Sequence, residues 1–332
     1  MMREYFEGKT VLVTGGTGSI GSEVVRQVFK FGPKAIRVLS NDEDAQFNLA
    51  QEFGIKGKVR FLFGDIREEK RVRLSMEDVD IVFHAAAMKH VPTCEFNPFE
   101  AVKTNVIGTQ NVMKEALAGD VKKVITISTD KAVNPINVMG ATKLLAERLT
   151  ISAHHYRGNK STVFSCVRFG NVLASRGSVI PIFMKQISQG GPLTITNPKM
   201  TRFIMHIHQS VGLILKAAMI ARGGEIFILK MPALTVGDLA EAMIEKYASR
   251  FGHVPEKIKT EVVGMRPGEK FHEELMTHME AQNAAERDGM YVINDLLDHE
   301  KNGLDKKEYI SAHVPVLSKA EISSNLDDLV HI

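Results

Sequence analysis

An α/β protein built on a doubly wound parallel sheet, with a smaller C-terminal α/β unit, is predicted by three features of this sequence. Short runs rich in Val and Ile alternate with helical stretches through the first half of the chain. The first such run leads at once into a glycine-rich turn. The polar residues able to do chemistry fall where the runs end. Strands covered on both faces read as continuous apolar runs, and such sheets bind ligands at the carboxyl ends of their strands.

Taken in order, Thr10–Thr14 is the first strand, and Gly15-Gly16-Thr17-Gly18-Ser19-Ile20-Gly21 follows it. Glycines let the backbone approach a pyrophosphate, and the helix opened by the turn points its first N–H groups at that anion. Val24, Val25, Val28 and Phe29 are expected on the buried face of this helix. A second strand ends in Val38-Leu39-Ser40, and Val59–Phe63 is a third, closed by Gly64-Asp65-Ile66. Residues 79–83 form a fourth and run into His84-Ala85-Ala86-Ala87. Lys123–Ile127 is the fifth and delivers Ser128, and Val163–Arg168 is the sixth. This succession of βαβ units is of the Rossmann type.

Beyond it, residues 170–181 make a loop punctuated by Gly and Pro that breaks the rhythm. Short strands at 193–196 and 225–229 then mix with helices at about 209–221 and 235–249. The expected division is a nucleotide-binding domain over 1–170, a second domain over 171–285 and an extension over 286–332, with part of the late chain returning to the sheet.

Composition sets limits. The chain has 332 residues and 44% apolar content, enough for a large domain plus a smaller one. No apolar run approaches the roughly 20 residues of a membrane span, and residues 1–9 are charged without a signal-type segment, so a cytoplasmic protein off the membrane is expected. Cys94 and Cys166 have no metal-ligand spacing and are read as packing residues. A net charge of +3 is too small to argue for nucleic acid and fits a locally basic pocket for a phosphorylated ligand.

The chemistry centres on Ser128-Thr129-Asp130-Lys131-Ala132, with Met139 and Lys143 further on. In short-chain dehydrogenases a Tyr-x-x-x-Lys pair stacks on adjacent helical turns, and the lysine keeps the tyrosine reactive. Here Met139 stands in the tyrosine position and exchanges no proton. Asp130, Lys131 and Lys143 remain, a set suited to more than one proton transfer. Read singly they are bland: Met139 can be a packing residue, Ser128 or Thr129 a cap, Lys143 a solvated helix charge.

These segments, with Ala87-Met88-Lys89-His90-Val91-Pro92, Val133-Asn134-Pro135, Met200-Thr201-Arg202-Phe203 and Met265-Arg266-Pro267-Gly268-Glu269-Lys270, carry a family resemblance. Over about residues 8 to 285 the chain resembles an extended short-chain dehydrogenase/reductase of the UDP-N-acetylglucosamine 4,6-dehydratase kind, in the polysaccharide-biosynthesis family. The resemblance implies oxidation at C4 of a hexose, loss of water across C5 and C6, and return of the hydride to C6, on a UDP-sugar and in a homo-oligomer.

It assigns Asp130 as acid at C6, Lys131 as base at C5 and Thr129 to the C4 oxygen, with Lys143 on the nicotinamide ribose. Desolvation and crowding by Lys143 and Lys89 are expected to lower the Lys131 pKa from about 10.4. Contacts to the dinucleotide cofactor are expected from Gly15, Thr17, Gly18, Ser19, Ile20, Gly21, Ser40, Asn41, Asp65, Ile66, Ala85, Ala86, Lys89, Asn105 and Lys143. Relatives often carry Arg at the position of Asn41, but Ser40 leaves room and avoids repulsion, which favours NADP over NAD. Lys89, Asn171, Val179, Arg202, Arg266 and Glu269 are expected at the substrate, although Arg202 suits a surface salt bridge as well. His90 is expected to pack. The alternatives are a nucleotide-sugar epimerase and a non-catalytic nucleotide-sugar binder.

No metal is expected. Asp298, Glu300, Asn302 and Gly303 imitate a calcium loop whose twelfth position is Tyr309, which cannot coordinate bidentately. His154-His155 and His206-x-His208 lack a third ligand.

Overall fold

The computed structural model describes residues 1–54, 57–173, 175, 177–293 and 308–327. The calcium-like residues Asp298 to Gly303 lie outside them. The predicted strands form at β1 (Thr10–Thr14), β2 (Ala35–Ser40), β3 (Val59–Phe63), β4 (Ile81–His84), β5 (Lys123–Ile127) and β6 (Val163–Arg168). β4 starts later than residue 79 because Asp78 adopts a positive φ of 55° and turns the chain before the ladder begins. Its neighbour Asp80 then pins the start of β1, accepting from the Thr10 amide at 2.8 Å.

The nine-stranded sheet runs Ala284–Arg287, Met290–Ile293, Ile226–Leu229, β6, β5, β4, β1, β2, β3. Ile226–Leu229 lies parallel to β6, while Met290–Ile293 pairs antiparallel with both Ile226–Leu229 and Ala284–Arg287. Strand order reverses between β1 and β4, and a crevice opens at that switch point. All five residues of β1 are buried, as a central strand covered on both faces requires. The first apolar core covers the sheet on both faces, around Val11, Val13 and Phe83 on one and around Leu12, Val82 and Val124 on the other.

The first helix after the glycine turn spans Ser19–Phe29. Val24, Val25 and Val28 are fully buried, but Phe29 is 40% exposed. It falls on the edge of the apolar stripe, where it meets the ring of Phe53 edge-on at 5.1 Å.

Residues beyond β6 build a second core around Phe183, Leu193, Leu239 and Met243. The expected helices form at Ile207–Ile220 and Val236–Tyr247, the second capped by Thr235, whose hydroxyl accepts from the Asp238 amide. Tyr309–Ile310 pairs with Glu274–Met276, and helix Lys319–Asp327 sets Ile322 and Leu326 into the second core. Arg168, 1% exposed, ties the parts together through forked bonds to Glu147 and Glu280.

Candidate active site

A cleft of about 1030 Å³ opens beyond the carboxyl ends of the strands. Its volume suits a ligand larger than one mononucleotide. Gly15, Thr17, Gly18, Ser19, Ile20, Gly21, Ser40, Asn41, Asp65, Ile66, Ala85, Ala86 and Lys89 line one stretch of it. Thr129, Lys131, Met139 and Lys143 line the middle, and Asn171, Val179, Arg202, Arg266 and Glu269 line the part formed by the later chain.

The glycine turn is shaped for close approach. Gly15 has φ +63°, and a Cβ there would stand 2.6 Å from Ala86 Cα. No side chain caps the first turn of helix Ser19–Phe29, because its N-cap is Gly18. A pyrophosphate is the kind of group such a turn holds. At the end of β2, Ser40 and Thr17 hydroxyls pair at 2.7 Å, and Asn41 donates to Asp65 at 3.0 Å. Arg67, which the sequence reading missed, also lines the cleft and pairs with Asp65 and Glu100, each at 2.7 Å.

Past β5 the chain makes a short turn, Asp130–Ala132, with extended Thr129 as its N-cap. Amides of Ser128 and Asp130 still bond to β6 and its extension, at Val167 and Phe169, which fixes the turn against the sheet. Thr129 donates to Asp130 Oδ1 at 2.7 Å, and Lys131 Nζ donates to the same oxygen at 3.0 Å. Asp130 is fully buried and does not line the cleft, so Thr129 and Lys131 stand between it and any occupant. Its Oδ2 has no hydrogen-bond partner among the described residues.

The expected lowering of the Lys131 pKa is corrected by the structure. Desolvation does push it down, but Asp130 and Glu273, whose Oε1 lies 3.3 Å away, outweigh that and hold the ammonium above its ordinary range. Glu273 itself is 4% exposed, and burial raises its pKa. Sequence reading missed Glu273, and its place three residues beyond the Gly268-Glu269-Lys270 run was the available signal.

Met139 is 4% exposed and packs with Cys94 and Ala101 while one face meets the cleft. Lys143, one turn on, donates to the Ile127 carbonyl at 2.6 Å, and burial lowers its pKa. Their helix, Val138–His155, is capped by Asn137, which accepts from the Gly140 amide. A Cβ at Gly140 would lie 2.2 Å from the Lys131 carbonyl, so glycine is what lets this helix abut the turn.

Asn105 lies outside the cleft, a correction to its expected cofactor contact. Its amide clamps both backbone groups of Met88 and reaches Thr142, so it holds the cleft wall from behind. His90 is exposed rather than packed, with its ring over Gly177. Arg202 bonds to the carbonyls of Thr201 and Phe271 and stands 3.7 Å from Glu273, an inward position rather than a surface bridge. His206 and His208 reach Asn325 and Glu23. Cys94 and Cys166 are both buried thiols.

Fold and site together define an extended short-chain dehydrogenase/reductase. Within that class the chain belongs to the polysaccharide-biosynthesis protein family, whose profile matches residues 11–295. A Methanocaldococcus jannaschii protein named as an uncharacterized membrane protein is 54% identical, covering 99% of this chain and 98% of its own. Among the described residues of the present chain, no helix is long and apolar enough to cross a membrane. A Rickettsia canadensis UDP-glucose 4-epimerase is 44% identical over 87% of this chain and 83% of its own. A Campylobacter jejuni UDP-N-acetylglucosamine 4,6-dehydratase (inverting) is 41% identical over 90% and 87%. The crystal structure of Pen from Bacillus thuringiensis superposes with a TM-score of 0.92 at 46% identity, covering 98% of each chain. A Streptomyces venezuelae dTDP-glucose 4,6-dehydratase shares the fold, with TM-score 0.70, 24% identity and coverage of 79% and 86%.

Proposed function

We propose that this protein is a nucleotide-sugar 4,6-dehydratase acting on UDP-N-acetylglucosamine. The observation that carries the reading is the turn after β5. It sets Thr129 and Lys131 at the cleft, backs both with buried Asp130, and leaves Met139 where a single-proton oxidoreductase needs tyrosine. Water loss across C5 and C6 demands a base and an acid side by side, because the C5 proton is weakly acidic and hydroxide leaves poorly. Epimerisation at C4 needs one group that takes and returns the C4 hydroxyl proton, ordinarily the tyrosine, and has no use for a second acid and base.

The nicotinamide group fits the residues present. Gly15, Gly18 and Gly21 line the cleft without side chains, the helix they lead into has no side-chain cap, and Lys143 stands inside the cleft, where it would hold the ribose. When bound, that cofactor supplies hydride acceptance at C4 and its return at C6. Ser40 at the end of β2, with Arg67 close by, favours NADP, since an arginine there can meet a 2′-phosphate. Titration calorimetry of cofactor-free protein with NAD and with NADP tests this, and tighter NAD binding refutes it.

The chain's own residues then divide the proton work. Asp130 takes the C4 hydroxyl proton through the Thr129 hydroxyl and later returns a proton by the same route to the departing C6 oxygen. Lys131, as free amine, takes the C5 proton and gives one back to C5 at the end. Protons taken and returned balance, and one water is lost. Arg202 and Arg266 are suited to the diphosphate by forked hydrogen bonding. The 171–285 segment would carry most of the substrate contacts.

The relatives named as epimerases make epimerisation the second reading. Incubation with UDP-N-acetylglucosamine in deuterated water separates the two. Loss of one water with deuterium at C5 is expected. Unchanged mass with inverted C4 would mean epimerase, and no reaction would mean a binder. The configuration at C5 is read from the same product.

A further inference from the structure

Lys131 is bracketed. Asp130 Oδ1 is 3.0 Å from its Nζ on one side and Glu273 Oε1 is 3.3 Å on the other. An ammonium held between two carboxylates is no base until its proton leaves, and both carboxylates are buried. We propose that Glu273 is the acceptor of that proton, and so the residue that turns Lys131 into a free amine. The proposal rests on the dehydratase reading, because only a reaction that deprotonates carbon needs the amine.

Geometry selects Glu273 over Asp130. Thr129 and Lys131 both donate to Asp130 Oδ1, so that oxygen already has two donors. Each carboxylate leaves one buried oxygen, Asp130 Oδ2 and Glu273 Oε2, without a hydrogen-bond partner among the described residues, so the difference lies at the other oxygen: Glu273 Oε1 has Lys131 at 3.3 Å and Arg202 at 3.7 Å, longer contacts than the two on Asp130 Oδ1. A buried, incompletely solvated carboxylate next to a second one gains proton affinity. Its backbone cannot swing away, since Glu273 and Ser311 exchange two bonds, Glu273 N to Ser311 Oγ and Ser311 N to Glu273 O, each 2.8 Å. Lys131 and Glu273 also line one small recess of about 160 Å³. The other charges facing the pair are Asp130 on the same turn, Arg202, and Arg266, Glu269 and Lys270 around the recess.

The step breaks one N–H bond of Lys131 and forms O–H on Glu273, giving a neutral amine and a neutral carboxylic acid. Net charge in the recess is unchanged. A bound sugar that expels water favours the neutral pair over the ionic one. The amine takes the C5 proton, later returns one to C5, and recovers its own proton from Glu273 as product leaves. Acting through Lys131, Glu273 is a positioning residue and proton store.

The test uses the holoenzyme and measures C5 deuteration and dehydration from about pH 6 to about pH 9. Wild type is expected to be flat across that range. Glu273→Gln should be slower at neutral pH by roughly 100-fold or more. Its rate should then climb about tenfold per pH unit, as solvent has to remove the lysine proton. Glu273→Asp should recover part of the rate and flatten the profile. A merely electrostatic Glu273 predicts the reverse, because deleting a negative charge makes Lys131 easier to deprotonate.

A second readout needs no turnover. Binding of UDP-N-acetylglucosamine to nicotinamide-free wild type should produce the infrared carbonyl band of a protonated carboxyl, and Glu273→Gln should lack it. The proposal is overturned by a Gln variant as fast as wild type, by a wild-type rate that itself climbs tenfold per unit, or by absence of the band in wild type. The last two need no variant and decide the matter if Glu273→Gln does not fold. Failure of wild type to dehydrate at all instead refutes the dehydratase reading, and the infrared band then judges Glu273 alone.

Discussion

At the residue scale, the site separates groups that meet the cleft from groups that act behind it. Thr129 meets the cleft and Asp130 does not, so the acid proton has to pass through a hydroxyl. Thr129→Val keeps the shape and removes the relay. It should lower kcat by about 100-fold or more with little change in KM, and a Val variant with wild-type kcat would show that Asp130 reaches the sugar unaided. His84 is the contrasting case of a buried group held out of the chemistry. Its ring nitrogens pair with Thr14 and Thr109 at 2.7 and 3.0 Å. Burial, and then the Lys143 charge, push its pKa down to about 3. The unfolded chain therefore protonates this imidazole first, near pH 6.5. Stability is complete above that pH and falls by about 1.4 kcal/mol per unit as pH drops from 6.5 toward 3. Urea denaturation of wild type and His84→Gln should show this extra slope only in wild type.

At the element scale, the turn after β5 and the helix that follows are one device. Asn137 caps the helix, and Gly140 lets its first turn touch the Lys131 carbonyl. Gly140→Ala would force them apart, with an expected loss of about 1–3 kcal/mol in denaturant melts. kcat should fall further than stability explains, because Lys131 moves. Unchanged kcat would mean that the contact is only packing. The strands themselves were legible, since Val and Ile runs on a central parallel sheet have to be apolar on both faces. Phe29 misled for a related reason: a heptad-like apolar position at the edge of a helix stripe is buried only if a neighbour covers it, and Phe53 covers it in part. Asn105 misled because a polar residue near a cleft can face the wall as readily as the ligand, and spacing does not tell which.

At the scale of the whole molecule, late segments return to complete an early site. Strands Ile226–Leu229, Met290–Ile293 and Ala284–Arg287 extend the sheet, and Tyr309–Ile310 pairs beside Glu273. Arg168 fastens this return, joining β6 to Glu147 on the site helix and to Glu280 near the end of the fold. Arg168→Met would leave both carboxylates buried without their cation. A loss of about 3–5 kcal/mol is expected in urea denaturation, and a variant within 1 kcal/mol of wild type would show that water replaces the guanidinium.

The sequence by itself determined the sheet, the glycine turn at its first strand and the Thr129-Asp130-Lys131 cluster at its fifth, because periodicity and local backbone demands are written in neighbouring residues. Tertiary structure alone decided that Asp130 is shielded, that Lys131 holds its proton tightly and that Glu273, 142 positions after Lys131 in the chain, stands beside it. Proton affinity depends on which charges meet in a dry place, and that meeting is arranged by chain segments far apart in order.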